Sequence, residues 1–289
     1  MRVCLFCEGR FEAPGWACPL CGHAPAVERG HAVLAPELER GDGSDADYRY
    51  EALAAVEPRH FWFRARRRLI LWALGRSCPT PRRVMEIGCG TGFVLQGIAE
   101  AFPQAELAGS DVLVSGLAHA QQRVPGATLF QMDARRIPFR DHFDAIGAFD
   151  VIEHIEEDEA VLREMRRALR PGGTLLLTVP QHPWLWSAVD DFSHHKRRYT
   201  RRELVGKLQA AGVDVVLATS FFLATLPMLL AARLRPRRAS ATFDPEAELR
   251  IRAPVNLTLQ ALVDLESALV RSGARLPLGS SLLVVGRRA

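Results

Sequence analysis

The sequence predicts an α/β protein in which a doubly wound, seven-stranded sheet follows a small metal-binding module at the N-terminus. Two observations predict the sheet. A strand, a glycine turn and a helix follow one another between residues 84 and 100, and apolar strands then alternate with helices. A third observation, two close pairs of cysteines near the N-terminus, predicts the module. The chain of 289 residues, 48% of them hydrophobic, can form one domain with its own core and an appendage.

The N-terminal cysteines form two C-x-x-C pairs, Cys4 with Cys7 and Cys18 with Cys21. Two such turns so close together are typical of one tetrahedral Zn²⁺ held by four thiolates, a structural site without an open position for chemistry. About thirty residues cannot fold on a hydrophobic core alone, so the metal would supply the stability. A pair of disulfides is the alternative, which the expected cytoplasmic location disfavours. We therefore predict a zinc-ribbon-like module.

The glycine turn of the main domain follows a short apolar strand at 84–87 and contains Gly88, Gly90 and Gly92. A turn of this kind between a strand and a helix leaves backbone N–H groups free for a ligand. However, its spacing is G-x-G-x-G, whereas dinucleotide sites have G-x-G-x-x-G. Glu86 would also place a negative charge against a pyrophosphate. The turn therefore indicates a ligand that carries positive charge.

Two further acids follow the next predicted strands. Asp111 ends the second strand and Asp133 ends the third, and in a parallel sheet these positions meet at one edge. Asp111 is placed to bind both hydroxyls of a ribose, Asp133 to accept a hydrogen bond from an adenine amine, and Glu86 to face the positive end of the ligand. Three acids suit a nucleoside that carries an ammonium and a sulfonium. S-adenosylmethionine fits this arrangement, and NAD does not.

With these motifs, the region from Arg82 to Pro180 resembles the class I S-adenosylmethionine-dependent methyltransferases, which have a Rossmann-like fold. EIGCGTG matches the first motif of that family, and ALRPGGTLLLTVP matches the turn and strand after its fourth. The family's pattern implies donor contacts from nine positions. These are Glu86, Gly88, Cys89, Gly90, Asp111, Val112, Asp133, Ala134 and Phe149.

Within that superfamily, the segment DVIEHI resembles the ubiquinone-pathway O-methyltransferases, in which an acid-x-x-Glu-His arrangement is linked to a divalent metal. Asp150, Glu153 and His154 match this arrangement. The resemblance implies a second metal, Mg²⁺ or Zn²⁺, that lowers the pKa of an acceptor hydroxyl. Alternatively His154 acts alone as the general base, or the three side chains pack the start of the next helix.

Two later segments are expected to cover the acceptor, at about 181–200 and 220–275. The first supplies candidate pocket residues, namely Trp184, Trp186, His194, Arg198 and Tyr199, with His195 as an alternative base. The alternative is a packed loop in which Arg198 pairs with an acid. The second contains the apolar run Ser220–Leu234, which with Phe221 and Phe222 predicts an apolar pocket. Arginines at 233–238 follow it, either at an interface with anionic lipids or at the solvated end of a covering helix.

Together these features predict a methyltransferase that uses S-adenosylmethionine to methylate a small-molecule or lipid-like acceptor at oxygen. The alternatives are a zinc-bearing ribosomal RNA methyltransferase and a non-catalytic scaffold. Nucleic acid is the less favoured partner, because the Asn/Asp-Pro-Pro-Tyr motif is absent and the module lacks interleaved lysines and aromatics. We expect a module with its linker at 1–46, a methyltransferase domain at 47–289, and a cytoplasmic protein with contact to a membrane surface. Because no donor motif lies in 1–46, its removal is expected to leave donor binding intact.

Overall fold

A computed structural model describes residues 1–13, 15–39, 50–234 and 251–289 of the chain. The strands are β1 (Arg2–Val3), β2 (Arg10–Phe11), β3 (Ala26–Glu28), β4 (His31–Val33), β5 (Arg83–Ile87), β6 (Glu106–Asp111), β7 (Thr128–Gln131), β8 (Phe143–Phe149), β9 (Leu169–Pro180), β10 (Val213–Phe221) and β11 (Ser281–Arg288). The helices are α1 (Pro36–Glu39), α2 (Tyr50–Val56), α3 (Phe61–Ser77), α4 (Phe93–Ala101), α5 (Val114–Arg123), α6 (Asp158–Ala168), α7 (Ala188–Phe192), α8 (Arg201–Ala210), α9 (Leu226–Leu234) and α10 (Ala253–Arg271). Within these ranges no helix is long and apolar enough to cross a bilayer.

The central sheet has the strand order β10-β11-β9-β8-β5-β6-β7-β4-β3. Strands β5 to β9 pair with one another in parallel, and β11 runs antiparallel between β9 and β10. The α/β fold with a mostly parallel sheet is therefore confirmed. Seven strands were predicted, whereas the part of the chain that the structure describes has nine in this sheet, because β3 and β4 join it from the N-terminal module. Strands this short, without alternating polarity, leave little pattern in the sequence.

Both faces of the sheet are buried, as a doubly wound fold requires. Successive side chains of a strand point to opposite faces, so Val84 and Ala145 belong to one hydrophobic core whereas Met85 and Ile146 belong to the other. Helices α3, α4 and α5 cover the first face, and α6 and α8 cover the second. The parallel strands consequently end together at one edge, where their terminal residues can meet a common ligand.

The N-terminal module packs against this sheet. Strand β4 pairs in parallel with β7, with Ala32 opposite Phe130. The ring of Trp16 lies 4.7 Å from that of Phe130 and 5.9 Å from that of Phe139. Residues of the module thus share the hydrophobic core of the main domain. The predicted boundary between residues 46 and 47, and the acidic linker before it, lie outside the described residues.

Two helices, α2 and α3, precede the first strand of the main domain, β5. Pro58 lies in the break between these two helices. His60 caps α3, because its Nδ1 accepts a hydrogen bond from the backbone N–H of Trp62 at 3.2 Å. This cap fixes where α3 begins, so that the aromatic run Phe61 to Phe63 lies over the edge of the sheet.

Candidate active site

A cavity of about 1750 Å³ lies at the carboxyl ends of the parallel strands. All nine positions that the sequence predicts for donor contact line it: Glu86, Gly88, Cys89, Gly90, Asp111, Val112, Asp133, Ala134 and Phe149. His154, Trp186, His194, His195 and Arg198 line the same cavity. The structure therefore brings the predicted donor residues and most of the predicted acceptor residues to one space.

Glycine is required in the turn between β5 and α4 by its backbone and by its neighbours. Gly88, Gly90 and Gly92 have φ angles of 66°, 49° and 76°. These lie in the left-handed region that other residues rarely adopt. A Cβ on Gly88 would come within 2.4 Å of the side chain of Val151, and one on Gly92 within 2.8 Å of the backbone of Ala120. Any side chain here would displace the turn from the cavity wall.

Asp111 ties this turn to the end of β6. Its carboxylate accepts hydrogen bonds from the backbone N–H of Gly90 at 2.8 Å and of Leu113 at 3.1 Å. The hydroxyl of Tyr50, on α2, lies 3.5 Å from the same carboxylate. Burial raises the pKa of Asp111, while the backbone hydrogen bonds counteract that rise. Asp111 therefore orders the donor turn as well as lining the cavity.

Glu86 is a buried carboxylate with an unused acceptor. Only 3% of the residue is exposed, and its Oε2 has no hydrogen-bond partner among the described residues. Burial raises the pKa of Glu86 well above its ordinary value, with the nearby Glu57 and Asp111 adding to the rise and Arg66 opposing it. A buried carboxylate of this kind is satisfied by a cationic group and repelled by an anionic one. The donor chemistry predicted from the sequence fits this atom.

Asp133 has a partner within the chain. Its carboxylate pairs with the guanidinium of Arg135 at 2.9 Å, and Arg135 also reaches Glu157 at 2.9 Å. A hydrogen bond from an adenine amine to Asp133 would have to share the carboxylate with this arginine. The apolar residues beside it, Val112 and Ala134, line the cavity where a flat base could pack.

The acid and histidine group after β8 differs from the predicted set of Asp150, Glu153 and His154. Asp150 has a positive φ of 58° and forms an ion pair with Arg66 of α3, so its carboxylate is already paired. His195 takes its place: the ligand atoms of Glu153, His154 and His195 all lie within 4.8 Å of one another. The structure thus groups His195, rather than Asp150, with Glu153 and His154.

Burial shifts the pKa values of Glu153 and His154 in this cluster. Glu153 is fully buried, neither of its oxygens has a partner among the described residues, and burial raises its pKa well above the ordinary value, with a further rise from Asp150. Burial, together with His195, lowers the pKa of His154 to about 4. His154 is therefore a neutral imidazole at pH 7, with its ring 4.6 Å from that of His195.

His195 is held by a buried carboxylate. Its Nδ1 lies 2.9 Å from Asp190, which is 0% exposed and also receives two hydrogen bonds from Arg198, at 2.7 and 2.9 Å. Burial alone would raise the pKa of Asp190, but these hydrogen bonds hold it well below its usual range. An ionised carboxylate only accepts hydrogen bonds, so Nδ1 of His195 carries the proton and Nε2 is left as an acceptor. Arg198 is therefore paired with an acid, Asp190, as the alternative interpretation of this loop expected.

Four predicted pocket residues lie elsewhere. Tyr199 is 0% exposed and donates a hydrogen bond to Asp158 at 2.7 Å, so it belongs to the core. Trp184 lies outside the cavity wall, where it is 57% exposed and stacks on His182. Phe221 and Phe222 are buried beneath α3, with the ring of Phe222 5.8 Å from that of Trp62. Tyr199 is held away from the cavity because the end of the loop at 181–199 pairs with its beginning, Tyr199 opposite Gln181.

Several lining residues were missed by the sequence argument. Tyr50, Leu38 and Glu57 line the cavity from segments that carry no motif. Glu57 is buried and accepts hydrogen bonds from Thr91 at 2.6 and 2.7 Å, and it pairs with Arg123. A charged residue followed by Pro58 in an otherwise amphipathic helix was the one available signal. The aromatic run at 61–63 also lines the cavity.

The four N-terminal cysteines form a separate cluster, with their sulfurs within 4.8 Å of one another. The sulfurs of Cys4 and Cys21, and those of Cys7 and Cys18, are 3.8 Å apart. Four sulfurs at roughly 2.3 Å from a tetrahedral zinc are separated by about 3.8 Å. The donor set therefore fits Zn²⁺.

The two turns that carry these cysteines have the same backbone pattern. The N–H of Cys4 donates to the carbonyl of Gly9 at 2.9 Å, and the N–H of Cys18 donates to that of His23 at 2.8 Å. The residue after each second cysteine, Glu8 or Gly22, has a positive φ of 59° or 75°. Each turn thus points both of its thiols to the same side. The ring of His23 stacks on Phe6, outside the sulfur cluster.

Residues 85–177 match the model of a family described as a methyltransferase domain. A probable S-adenosylmethionine-dependent methyltransferase of Mycolicibacterium smegmatis is 30% identical over 161 residues, which is 54% of this chain and 60% of the relative. A malonyl-acyl-carrier-protein O-methyltransferase of Methylococcus capsulatus is 31% identical over 144 residues, 46% of this chain and 52% of the relative. The matched region thus spans between about half and three fifths of these curated relatives.

Among solved structures, the cyclase SpnF has a TM-score of 0.56 at 19% identity, over 85% of this chain and 95% of its own. A likeness at that identity shows the fold alone. The family match, the relatives and the fold agree with the motifs of the donor site. Residues 85–177 are therefore similar to a methyltransferase domain, and the chain has an α/β fold with a mostly parallel central sheet, like that of SpnF.

Proposed function

We propose that this protein methylates a hydroxyl of an apolar small molecule or lipid-like acceptor, with S-adenosylmethionine as the donor. One observation carries the proposal. A single cavity is lined by the donor residues, by an apolar wall and by a histidine that a buried carboxylate holds in place. The parts needed to bind a methyl donor, to hold an acceptor and to take up its proton are therefore next to one another.

Donor binding is proposed from the acids around the glycine turn. Glu86 would accept a hydrogen bond from the donor's ammonium, because its buried Oε2 has no other partner among the described residues. Asp111 would bind the ribose hydroxyls and keep the turn in place through Gly90. When bound, S-adenosylmethionine supplies an electrophilic methyl group. The protein's own contribution is to orient that group and to keep water out of a largely apolar space.

Proton removal from the acceptor is proposed for His195, with His154 as the neighbouring candidate. Nε2 of His195 is an acceptor because Asp190 holds the proton on Nδ1, and the positive charge that develops on the ring is stabilised by the same carboxylate. His154 is neutral at pH 7 but is a weak base, since its pKa is lowered to about 4. The arrangement therefore favours His195, the alternative base of the sequence analysis, over His154.

A second divalent cation at Glu153, His154 and His195 is the competing account of the same cluster. It would lower the pKa of the acceptor hydroxyl as a Lewis acid. Two imidazoles and one carboxylate suit Zn²⁺, Mn²⁺ or Fe²⁺ better than Mg²⁺, which prefers oxygen ligands. We therefore do not propose Mg²⁺ as the ion of this cluster.

The acceptor is proposed to be apolar because of what the cavity offers. Trp62, Phe63, Trp186, Phe192 and Met228 line it, and its volume of about 1750 Å³ exceeds that of an ordinary small-molecule pocket, roughly 300–1000 Å³. Each arginine that lines the cavity is paired with an acid: Arg66 with Asp150, Arg135 with Asp133, and Arg198 with Asp190. A strongly anionic acceptor would therefore have to break an existing ion pair.

Contact with a membrane surface is proposed from α10 rather than from the region first considered. Several apolar side chains of α10 are exposed; they are Val255, Leu257, Ala261, Leu262, Leu265 and Leu269. Exposed arginines flank them at Arg252, Arg271 and Arg275, as at an interface with anionic headgroups. Met228 and Leu230 of α9 are also exposed. Arginines 235, 237 and 238, on which the sequence argument relied, lie outside the described residues.

The test is methyl transfer from labelled S-adenosylmethionine in host extract, sorted into lipid, small-molecule, RNA and protein fractions. Label in the lipid or small-molecule fraction is expected. It should fall at least roughly a hundredfold in His195→Ala and stay unchanged in the control His119→Ala, whose imidazole is on α5 outside the cavity wall. Label only in RNA would overturn the acceptor assignment in favour of a nucleic-acid methyltransferase. Donor binding without any transfer would favour a scaffold.

A further inference from the structure

The cysteine module reaches the donor end of the cavity through the side chain of Gln131, the last residue of β7. Gln131 is 0% exposed. Its amide exchanges two hydrogen bonds with Ala35, since Oε1 accepts from the N–H at 2.9 Å and Nε2 donates to the carbonyl at 2.8 Å. The same Nε2 donates to the carbonyl of Val112 at 3.1 Å. One buried amide therefore joins the segment after β4 to the loop after β6.

That loop begins directly after Asp111, one of the three predicted donor acids. Val112 directly follows Asp111, and the backbone carbonyl of Asp111 accepts a hydrogen bond from Met132, next to Gln131, at 3.1 Å. Leu38, three residues beyond Ala35, lines the cavity itself. The segment from β4 to α1 thus holds the nucleoside end of the proposed donor site from behind and also forms part of its wall.

The position of this segment depends on the module. Strand β4 is anchored by its pairing with β7, by the N–H of Leu34 donating to the carbonyl of Gln131 at 3.0 Å, and by Trp16 packing on Phe130. Trp16 lies between the two cysteine pairs. Because the module is short, it needs the metal to stay folded. A change at the cysteines is consequently transmitted to the donor loop.

We infer that the cysteine module is a working part of the donor site, and that Gln131 is the positioning residue through which metal-dependent folding of the module sets the loop at 110–113. The inference rests on the proposed function, because it requires a donor to bind. It replaces the expectation that removal of residues 1–46 leaves donor binding intact. Loss of zinc would lower donor affinity although no cysteine of the module lines the cavity.

The experiment is S-adenosylhomocysteine binding, by calorimetry, to the full chain carrying Gln131→Met. Methionine keeps the length of the side chain and removes its three hydrogen bonds, so affinity should fall at least roughly tenfold while zinc content stays at one per chain. The matched control is Gln121→Met on α5, where the amide bonds only to the carbonyl of Pro125 among the contacts described, at 2.9 Å. That variant should bind as the unmodified chain does.

Gln131→Met should lower the affinity for 5′-methylthioadenosine by the same factor, because this ligand keeps the nucleoside and lacks only the amino-acid end. A general loss of stability would instead appear in the thermal midpoint, which is recorded for both variants. As a second measurement, zinc is removed from the unmodified chain with a chelator and then restored. Donor affinity should fall at least roughly tenfold and then return.

The outcomes separate the inference from the proposed function. Unchanged affinity in both Gln131→Met and the zinc-free chain would overturn the inference and leave the donor site standing. If the unmodified, zinc-loaded chain bound no S-adenosylhomocysteine, the proposed function itself would fail. Should Gln131→Met not fold, the zinc measurement decides alone.

Discussion

Replacement of Glu86 by glutamine should weaken donor binding and stabilise the ligand-free protein at the same time. In the free protein Glu86 is buried with an unpartnered oxygen, and its pKa lies well above the ordinary value of 4.5. An acid whose pKa is raised by folding loses stability as the pH rises from its unfolded pKa through its folded pKa. A rise of one pKa unit corresponds to about 1.4 kcal/mol at a pH above both values. Because the glutamine amide carries no charge, Glu86→Gln removes this cost.

In the donor complex the substitution is unfavourable instead, because the donor's ammonium provides the partner that the buried carboxylate of Glu86 lacks in the free protein. A hydrogen bond between charged groups contributes about 1.5–3 kcal/mol, so Glu86→Gln should weaken S-adenosylhomocysteine binding roughly ten- to hundredfold. 5′-Methylthioadenosine has no ammonium and should bind both forms equally well. In the unmodified chain, binding should release a proton and tighten as the pH rises through the raised pKa of Glu86.

Calorimetry in two buffers with different ionisation enthalpies measures the proton release, and thermal unfolding between pH 6 and 8.5 measures the stability. The control is Glu100→Gln on α4, an exposed carboxylate outside the cavity wall, which should change neither quantity. The reasoning is refuted if Glu86→Gln binds S-adenosylhomocysteine as tightly as the unmodified chain does. An equal loss for 5′-methylthioadenosine would place the carboxylate at the wrong end of the donor.

Three further predictions concern the other clusters. One zinc per chain is expected at the four cysteines and should be lost in Cys7→Ser; elemental analysis that finds none after growth with zinc would contradict the site. Asp111→Ala should weaken S-adenosylhomocysteine binding by on the order of 2–4 kcal/mol, because ribose hydroxyls and the N–H of Gly90 lose their acceptor; calorimetry with unchanged affinity would exclude this assignment. If His154, rather than His195, is the base, His154→Ala should lower turnover at least roughly a hundredfold at constant donor affinity. Turnover would then stay independent of pH down to about pH 5, since the pKa of His154 is about 4, and a decline near pH 6.5 would point to another group.

Local patterns predicted the centre of the fold well. The apolar run at 143–149 forms β8, and α8 begins at Arg201. These elements are specified by their own residues, an apolar run in one case and a Thr200 cap in the other. In contrast, Pro171, Gly172 and Gly173 were expected to precede a strand and instead lie within β9. They lie next to the register shift between β8 and β9, where regular pairing is interrupted.

Residues brought together over long distances were harder to predict. The pairing of Arg66 with Asp150 joins positions 84 residues apart, and it removed one of the three predicted metal ligands. Tyr199 resembled a pocket residue in the sequence, but Asp158, 41 residues earlier, supplies a buried partner for its hydroxyl. Because both side chains are chemically suited to a site and to a core, only the fold decides between the two.

The parallel pairing of β4 with β7 also has a consequence for synthesis of the chain. Ala35 leaves the ribosome 96 residues before its partner Gln131, which at about 5–20 residues per second is a delay of roughly 5–20 s. Throughout that interval the edge of β4 has nothing to pair with, and unpaired strands are prone to aggregate. The cysteines that close the module are at most 17 residues apart, so it can fold as soon as it emerges if zinc is present. Zinc bound during translation would therefore let the cysteine turns form well before β7, the partner of β4, is made.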